Sequence, residues 1–321
     1  MCLLLTRTKS TLRMRFICWL LLVPVFAIGQ RQEFFHPQMG TLFQIIVHTA
    51  DSNFARQATN LAFARIDSLN QIFSDYQESS EISRLSKTAG TDAWVKVSPD
   101  MWRLLRISQK ISRQSNGAFD ITIGALTKVW RKAFRQSQFP TNAEIAKAKH
   151  TVDYRSLRMN GLSHKVKLLL PDTRLDAGGI AKGYAVDAAM KILRKAGIRS
   201  ALVAGGGDIR VSNPPPDKAA WIIATKGADS TGQIVDLEKN LNNRAISTSG
   251  DTYRFLEWEG IRYSHIIDPR TGMGIQHRQF TRVTGTHSTL ADALATAANV
   301  LPLAERDKLA KKFPKYLIEA Y

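Results

Sequence analysis

The stretch that most constrains the fold runs from Leu175 to Val211, LDAGGIAKGYAVDAAMKILRKAGIRSALVAGGGDIRV. Two glycines, Gly178 and Gly179, follow Asp176, and Ala185, Ala188, Ala189, Ile192 and Leu193 then recur at three-and-four spacing. That period predicts a helix over Ile180–Ala196, closed by Gly197 as a left-handed cap. The apolar run Ser200–Ala204 reads as a strand that enters Gly205, Gly206, Gly207 and Asp208. A glycine-flanked helix start exposes unpaired N–H groups, and Lys182 adds a positive charge, a combination suited to a phosphate. Tight packing of a helix on a sheet uses the same glycines. The pattern is neither a P-loop, because no Gly-Lys pair is followed by Ser or Thr, nor the G-x-G-x-x-G dinucleotide fingerprint.

Charge narrows the partners less than it first suggests. The 321 residues carry a formal net charge of +18. That balance permits nucleic acid, an anionic membrane face or acidic substrates. The basic residues are scattered, with no zinc, RRM or helix-turn-helix signature, so nucleic acid is not an expected partner. Four of them, Arg7, Lys9, Arg13 and Arg15, precede the apolar run Phe16–Ile28. This run is shorter than the roughly 20 apolar residues that cross a bilayer. With Ala27 and Gly29 before Gln30 it predicts a signal peptide over residues 1–29, an uncleaved anchor being the alternative. Both cysteines, Cys2 and Cys18, lie in that segment. The remaining 30–321 unit then has no disulfide, thiolate or cysteine metal site, which suits export to an oxidising compartment, the periplasm.

Along the chain, Leu42–His48 alternates as a strand, and Asp51 or Ser52 caps a helix to about Phe73 with Leu61, Ile66, Leu69 and Ile72 as its apolar positions. Ser98-Pro99 opens a helix that stops at Asn116-Gly117. Leu126–Phe134 reads as helical, with Lys128, Arg131, Lys132 and Arg135 on a solvated face. Asn142–Lys149 is a short polar helix, and Arg158–Leu170 a hairpin about Asn160-Gly161. Strands follow near Ala220–Thr225, Gln233–Leu237, Arg244–Thr248, Arg254–Glu257 and Arg262–Ile267. Helices near Leu290–Val300 and Ala304–Lys312 and a strand at Tyr316–Ala320 close the chain. Mixed helices and mostly antiparallel strands without a βαβ repeat predict an α+β class.

Several side chains are chemically capable. Asp292 and Thr296 are four apart, so a helix puts both on one face, where a carboxylate and a hydroxyl offer hard oxygen ligands for Mg²⁺. Thr289-x-x-Asp292 equally fits a capping box. His265, in YSHIIDPRTG, is of the type that moves protons near neutral pH. Asp268 belongs to a turn, and Asp120 follows Ala118 and Phe119 in what reads as a turn into an extended segment. Met39 reads as core or linker and Tyr76 as a helix-end anchor. Ser247-Thr248-Ser249-Gly250-Asp251 is a phosphate contact or a polar turn.

Five motifs in order, DAGGIAKGYAVD, AGGGD, ISTSGD, YSHIIDPRTG and ADALATA, make the chain resemble the ApbE-type FAD:protein FMN transferase family from about Met39 to the C-terminus. The resemblance implies a ligand cleft between two intimate lobes. It implies Mg²⁺ held by Asp292, Thr296 and a backbone oxygen at Gly179, and FAD contacts at Met39, Tyr76, Ala118, Phe119, Asp120, Asp176, Lys182 and Ile267. It makes His265 the proton acceptor, with Asp268 orienting it or shaping the turn. Some members carry a second Asp where this chain has Ala295, which puts ion preference in question. The implied reaction moves FMN from FAD to a Thr or Ser hydroxyl of an exported flavoprotein domain of a membrane redox complex, releasing AMP. Peripheral or leader-mediated membrane association is part of that expectation. An FAD pyrophosphatase and a non-catalytic flavin carrier are the alternatives.

Overall fold

The computed structural model describes residues 30–228, 233–250, 255–277 and 280–321. The predicted leader, residues 1–29, lies outside the described residues, as does Asp251. The chain opens with β1 (Gln30–Gln38), β2 (Thr41–Thr49), α1 (Ser52–Phe73), α2 (Glu81–Ser86), β3 (Val95–Lys96) and α3 (Pro99–Gln114). Next come α4 (Gly124–Gln136), α5 (Asn142–Lys149), β4 (Leu157–Asn160), β5 (Lys165–Leu168) and α6 (Ala181–Lys195). Six strands follow, β6 (Ser200–Gly205), β7 (Asp208–Val211), β8 (Trp221–Ala228), β9 (Ile234–Leu241), β10 (Ala245–Gly250) and β11 (Phe255–Trp258). The chain ends with β12 (Ile261–Ser264), β13 (Phe280–Gly285), α7 (Ser288–Val300), α8 (Leu303–Lys312) and β14 (Leu317–Ala320).

A seven-stranded sheet in the order β1-β2-β6-β7-β10-β13-β14 is the frame, and every neighbouring pair in it is antiparallel. Strand alternation decides which residues face each layer. Phe43, Ile45 and Val47 of β2, with Ala201 and Val203 of β6, enter the main core under α1, α6 and α7. The intervening Ile46 and Leu202 meet Trp221, Ile223 and Leu241 of the β8–β9 hairpin on the other face. A separate cluster joins Leu126, Trp130 and Ala133 of α4 to Ile145 of α5, Tyr263 of β12 and Ile267. The predicted α+β class is the observed one. Among the described residues no helix is long and apolar enough to cross a membrane.

Five elements escaped the sequence pattern, β1, β3, β7, β13 and α2; β7 and β13 lie inside the sheet and are mostly buried, so they lack clean alternation. The apolar stripe of α1 also differs from the expected one. Leu61 is 61% exposed, whereas Ala58, Ala62, Ile66, Leu69 and Phe73 are buried. Small alanines carry that stripe because α1 packs closely on α6. Residues 247–250 lie in β10 rather than in a polar turn.

Candidate active site

Two hairpin turns lie side by side at one end of the sheet. Met39 and Gly40, with φ of 52° and 70°, turn β1 into β2, and Gly206 and Gly207, with φ of 60° and 93°, turn β6 into β7. Both central residues of each turn have positive φ, the type I′ arrangement that matches strand twist. Met39 is the non-glycine residue that accepts this conformation. The triple glycine is therefore a hairpin turn, and it passes over Lys182. A Cβ at Gly206 would stand 2.8 Å from Lys182 Cδ and 3.4 Å from Thr41 Cγ2.

Beneath these turns α6 crosses α7 with almost no space between them. A Cβ at Gly183 would come within 2.4 Å of Ser288 O and 2.7 Å of Asp292 Cβ. The two helices cap each other. Asp292 Oδ2 accepts the Gly183 N–H at 3.0 Å. Asp187 of α6 accepts Ser288 N at 3.0 Å through Oδ1, and Thr289 N at 3.0 Å and Thr289 Oγ1 at 2.6 Å through Oδ2. Arg210 pairs with Asp187 from β7. Asp292 is thus not the acid of a Thr289 capping box. The cap comes from Asp187, which the sequence reading passed over, because capping across two helices leaves no local spacing signal.

This arrangement frees Asp292 for other chemistry. Among the described residues the Gly183 N–H is the one hydrogen bond to its carboxylate, and the residue is 6% exposed. Thr296 lies one turn further on, and a Cβ at Gly179 would stand 3.0 Å from Thr296 Oγ1 and 3.4 Å from Phe119 Cε2. Asp292, Thr296, Gly179 and Phe119 therefore converge. Their oxygen donors, a carboxylate, a hydroxyl and backbone carbonyls, fit a hard cation such as Mg²⁺. Lys182 completes the corner, its Nζ donating to Gly178 O at 3.2 Å and lying 3.6 Å from Asp208 Oδ2 and 3.9 Å from Asp292 Oδ2. Burial alone would depress the Lys182 ammonium, but Asp292, Asp208 and Asp176 raise it above its ordinary range. Asp208, 1% exposed, is pushed well above the usual carboxylate range by burial and then by Asp292.

The residues expected to contact flavin have mostly internal partners. Asp120 accepts Thr122 N at 2.8 Å, Thr122 Oγ1 at 2.7 Å and Tyr154 N at 2.8 Å, so its carboxylate shapes the turn that presents Ala118 and Phe119. Burial raises its pKa, against those hydrogen bonds. Asp176 accepts Thr127 Oγ1 at 2.7 Å, Arg131 Nη2 at 2.8 Å and Gly178 N at 2.7 Å. Arg131 is therefore no member of a solvated face. It also pairs with Asp75 and lies 4.3 Å from the centre of the Tyr76 ring. Burial, and then repulsion from Asp176, push the Asp75 carboxyl up to about 6 against the pull of Arg131.

His265 is exposed just beyond β12, while Ile266 enters the main core and Ile267 the α4–α5 core. Asp268 accepts from Arg270 N at 2.9 Å, Nε at 3.0 Å and Nη2 at 2.9 Å. Trp130 Nε1 donates to Gly272 O at 2.9 Å, which pins the far end of the same turn. Of the two roles open to Asp268, shaping the turn is the one its contacts serve. Arg270 Cγ would lie 3.9 Å from a Cβ at Gly117, so this turn abuts the one leading to Ala118 and Phe119.

The family model described as the ApbE family matches residues 39–320. The chain belongs to the ApbE family. A similar curated protein is the FAD:protein FMN transferase of Treponema pallidum, 30% identical over 292 residues, covering 86% of this chain and 80% of that protein. That of Escherichia coli K12 is 28% identical over 268 residues, covering 82% and 76%. Among solved ApbE structures, the apo flavinyl transferase of Pseudomonas stutzeri superimposes with a TM-score of 0.79 at 26% identity, covering 91% of this chain and 90% of that one. The Vibrio cholerae flavin transferase gives 0.79 at 26% identity, covering 91% and 93%. The α+β architecture described above is thus the ApbE fold.

Proposed function

We propose that this chain is an exported, periplasmic FAD:protein FMN transferase that requires Mg²⁺. The observation that carries the reading is the meeting of Asp292, Thr296 and Gly179 beside Lys182, in a chain of the ApbE family. Electrostatics favours a divalent cation there. Arg131 is paired with Asp176, and Lys182 faces both Asp208 and Asp292, so the charge of these two cations is already largely answered by carboxylates. Asp292, Thr296 and the Gly179 carbonyl would hold Mg²⁺, which when bound neutralises charge on the transferred and leaving phosphates.

The chain's own residues do the rest. The Gly178–Gly179 turn and the start of α6 receive the pyrophosphate, and Lys182 keeps an ammonium at its edge. Tyr76 and the Ala118–Phe119 turn take the rings of FAD. His265, exposed on its turn, is open to a protein segment and takes the proton of an acceptor Thr or Ser hydroxyl as that oxygen attacks the phosphorus of the FMN half. The new P–O bond joins FMN to the acceptor, and the P–O bond to AMP breaks. The acceptors are exported flavoprotein domains of membrane redox complexes. Arg7 to Ile28, a basic then apolar leader, supports export and a membrane-side location.

The test combines the protein with FAD and Mg²⁺, with and without a flavoprotein domain bearing an acceptor Thr. AMP release together with flavin fluorescence on the denatured acceptor band, both dependent on Mg²⁺, is the expected result. AMP and free FMN without a labelled band would make the protein an FAD pyrophosphatase. Bound FAD with neither product would make it a carrier.

A further inference from the structure

Arg131 sits on α4 among basic residues, yet three groups hold its guanidinium in place. It pairs with Asp75, donates through Nη2 to Asp176 Oδ2 at 2.8 Å, and lies 4.3 Å from the centroid of Tyr76. Asp176 passes the constraint on, because its Oδ1 accepts the Gly178 N–H at 2.7 Å. Thr127, one turn back on α4, donates to the same Asp176 Oδ2 at 2.7 Å. One planar cation thus joins the segment after α1, the middle of α4 and the glycine turn before α6. Tyr76 remains 74% exposed, so the guanidinium backs its ring while leaving most of the ring open.

The geometry points to Arg131 as a positioning residue for FAD, one that holds the Tyr76 ring and the Asp176–Gly178 turn in fixed relation. This rests on the transferase reading and deepens it. An aromatic ring of the dinucleotide stacked on Tyr76 and a pyrophosphate at Gly178–Gly179 are then located by a single side chain. Only arginine suits the place, since its fork bonds two carboxylates while its face lies on an aromatic ring, and a lysine ammonium offers no such plane. Without the cation, Asp75 and Asp176 repel, and the tie between platform and turn is lost.

The experiment compares the full chain with Arg131→Met, Arg131→Lys, Tyr76→Ala and the Tyr76→Ala/Arg131→Met double variant. FAD affinity is read by flavin fluorescence titration, and KM and kcat by AMP release. Arg131→Met is expected to raise both Kd and KM for FAD about tenfold while kcat changes less than about threefold. Arg131→Lys, which keeps the charge and safeguards folding, should raise Kd about threefold. The double variant should be no weaker than about its worse single parent, as residues acting together are non-additive. Unaltered Kd in both Arg131 variants, or fold-changes that multiply in the double variant, would overturn the assignment. If the unaltered chain binds no FAD, the transferase reading itself fails. If it binds FAD and the Arg131 variants match it, only the role of Arg131 is lost.

Discussion

The α6–α7 crossing and the His265 turn lie in the same fold and are built in opposite ways. At the crossing, Asp187 and Asp292 cap each other's helices, Gly183 leaves no room for a side chain, and Lys182 is held between carboxylates. At the turn, Asp268, Arg270 and Trp130 fix the backbone while His265 is left exposed. Under the proposed transfer reaction the difference separates two tasks. Phosphate and cation chemistry needs charges that do not reorganise, whereas a macromolecular acceptor needs a base it can reach.

The sharpest break of that comparison is Asp292→Asn, which keeps an acceptor for Gly183 N but removes the negative charge. Turnover with Mg²⁺ should fall about a thousandfold, a loss of several kcal/mol of transition-state stabilisation, while FAD still binds. Near-normal Mg²⁺-dependent AMP release would remove Asp292 from the cation site. His265→Ala should cost about a hundredfold or more in transfer, yet leave the melting temperature and FAD affinity unchanged, because the side chain is exposed. A variant that transfers FMN at the normal rate would show that another group takes the proton.

Gly183→Ala probes the crossing for stability. Its Cβ meets Ser288 O at 2.4 Å, so urea unfolding should show a loss of about 2–3 kcal/mol, and unaltered stability would mean the helices separate freely. The smallest effect concerns Asp75. Its folded pKa, raised to about 6 from 3.8, means that the native state binds the proton more tightly than the unfolded chain. Stability from this group is therefore greatest at low pH and declines as pH rises from about 4 to 6. Asp75→Asn lacks that decline, so its melting temperature relative to the unaltered chain should rise by about 3 °C between pH 4.5 and 7.5. A constant difference would show that Asp75 titrates normally.

Legibility in the sequence followed the range of the interaction. The α6 helix, its Gly197 stop and the Asp292–Thr296 pair were readable because they depend on neighbours within a turn or two. Arg131 read as solvated because its i±4 neighbours are polar, whereas its partners Asp75 and Asp176 lie far along the chain. The capping-box reading failed for the same reason. Thr289 and Asp292 have the right spacing, but Asp187 takes the helix start first.

By itself, then, the sequence determined the α+β class, the glycine-flanked helix and the motif set that marks the family, since local period and residue type suffice for those. Only the tertiary structure decided the roles of the carboxylates. Asp120, Asp176, Asp187 and Asp268 are occupied by internal donors, while among the described residues the Asp292 carboxylate accepts the Gly183 N–H and has Lys182 Nζ 3.9 Å away. A carboxylate's function depends on which donors reach it across the fold, and that information exists only once the helices have crossed.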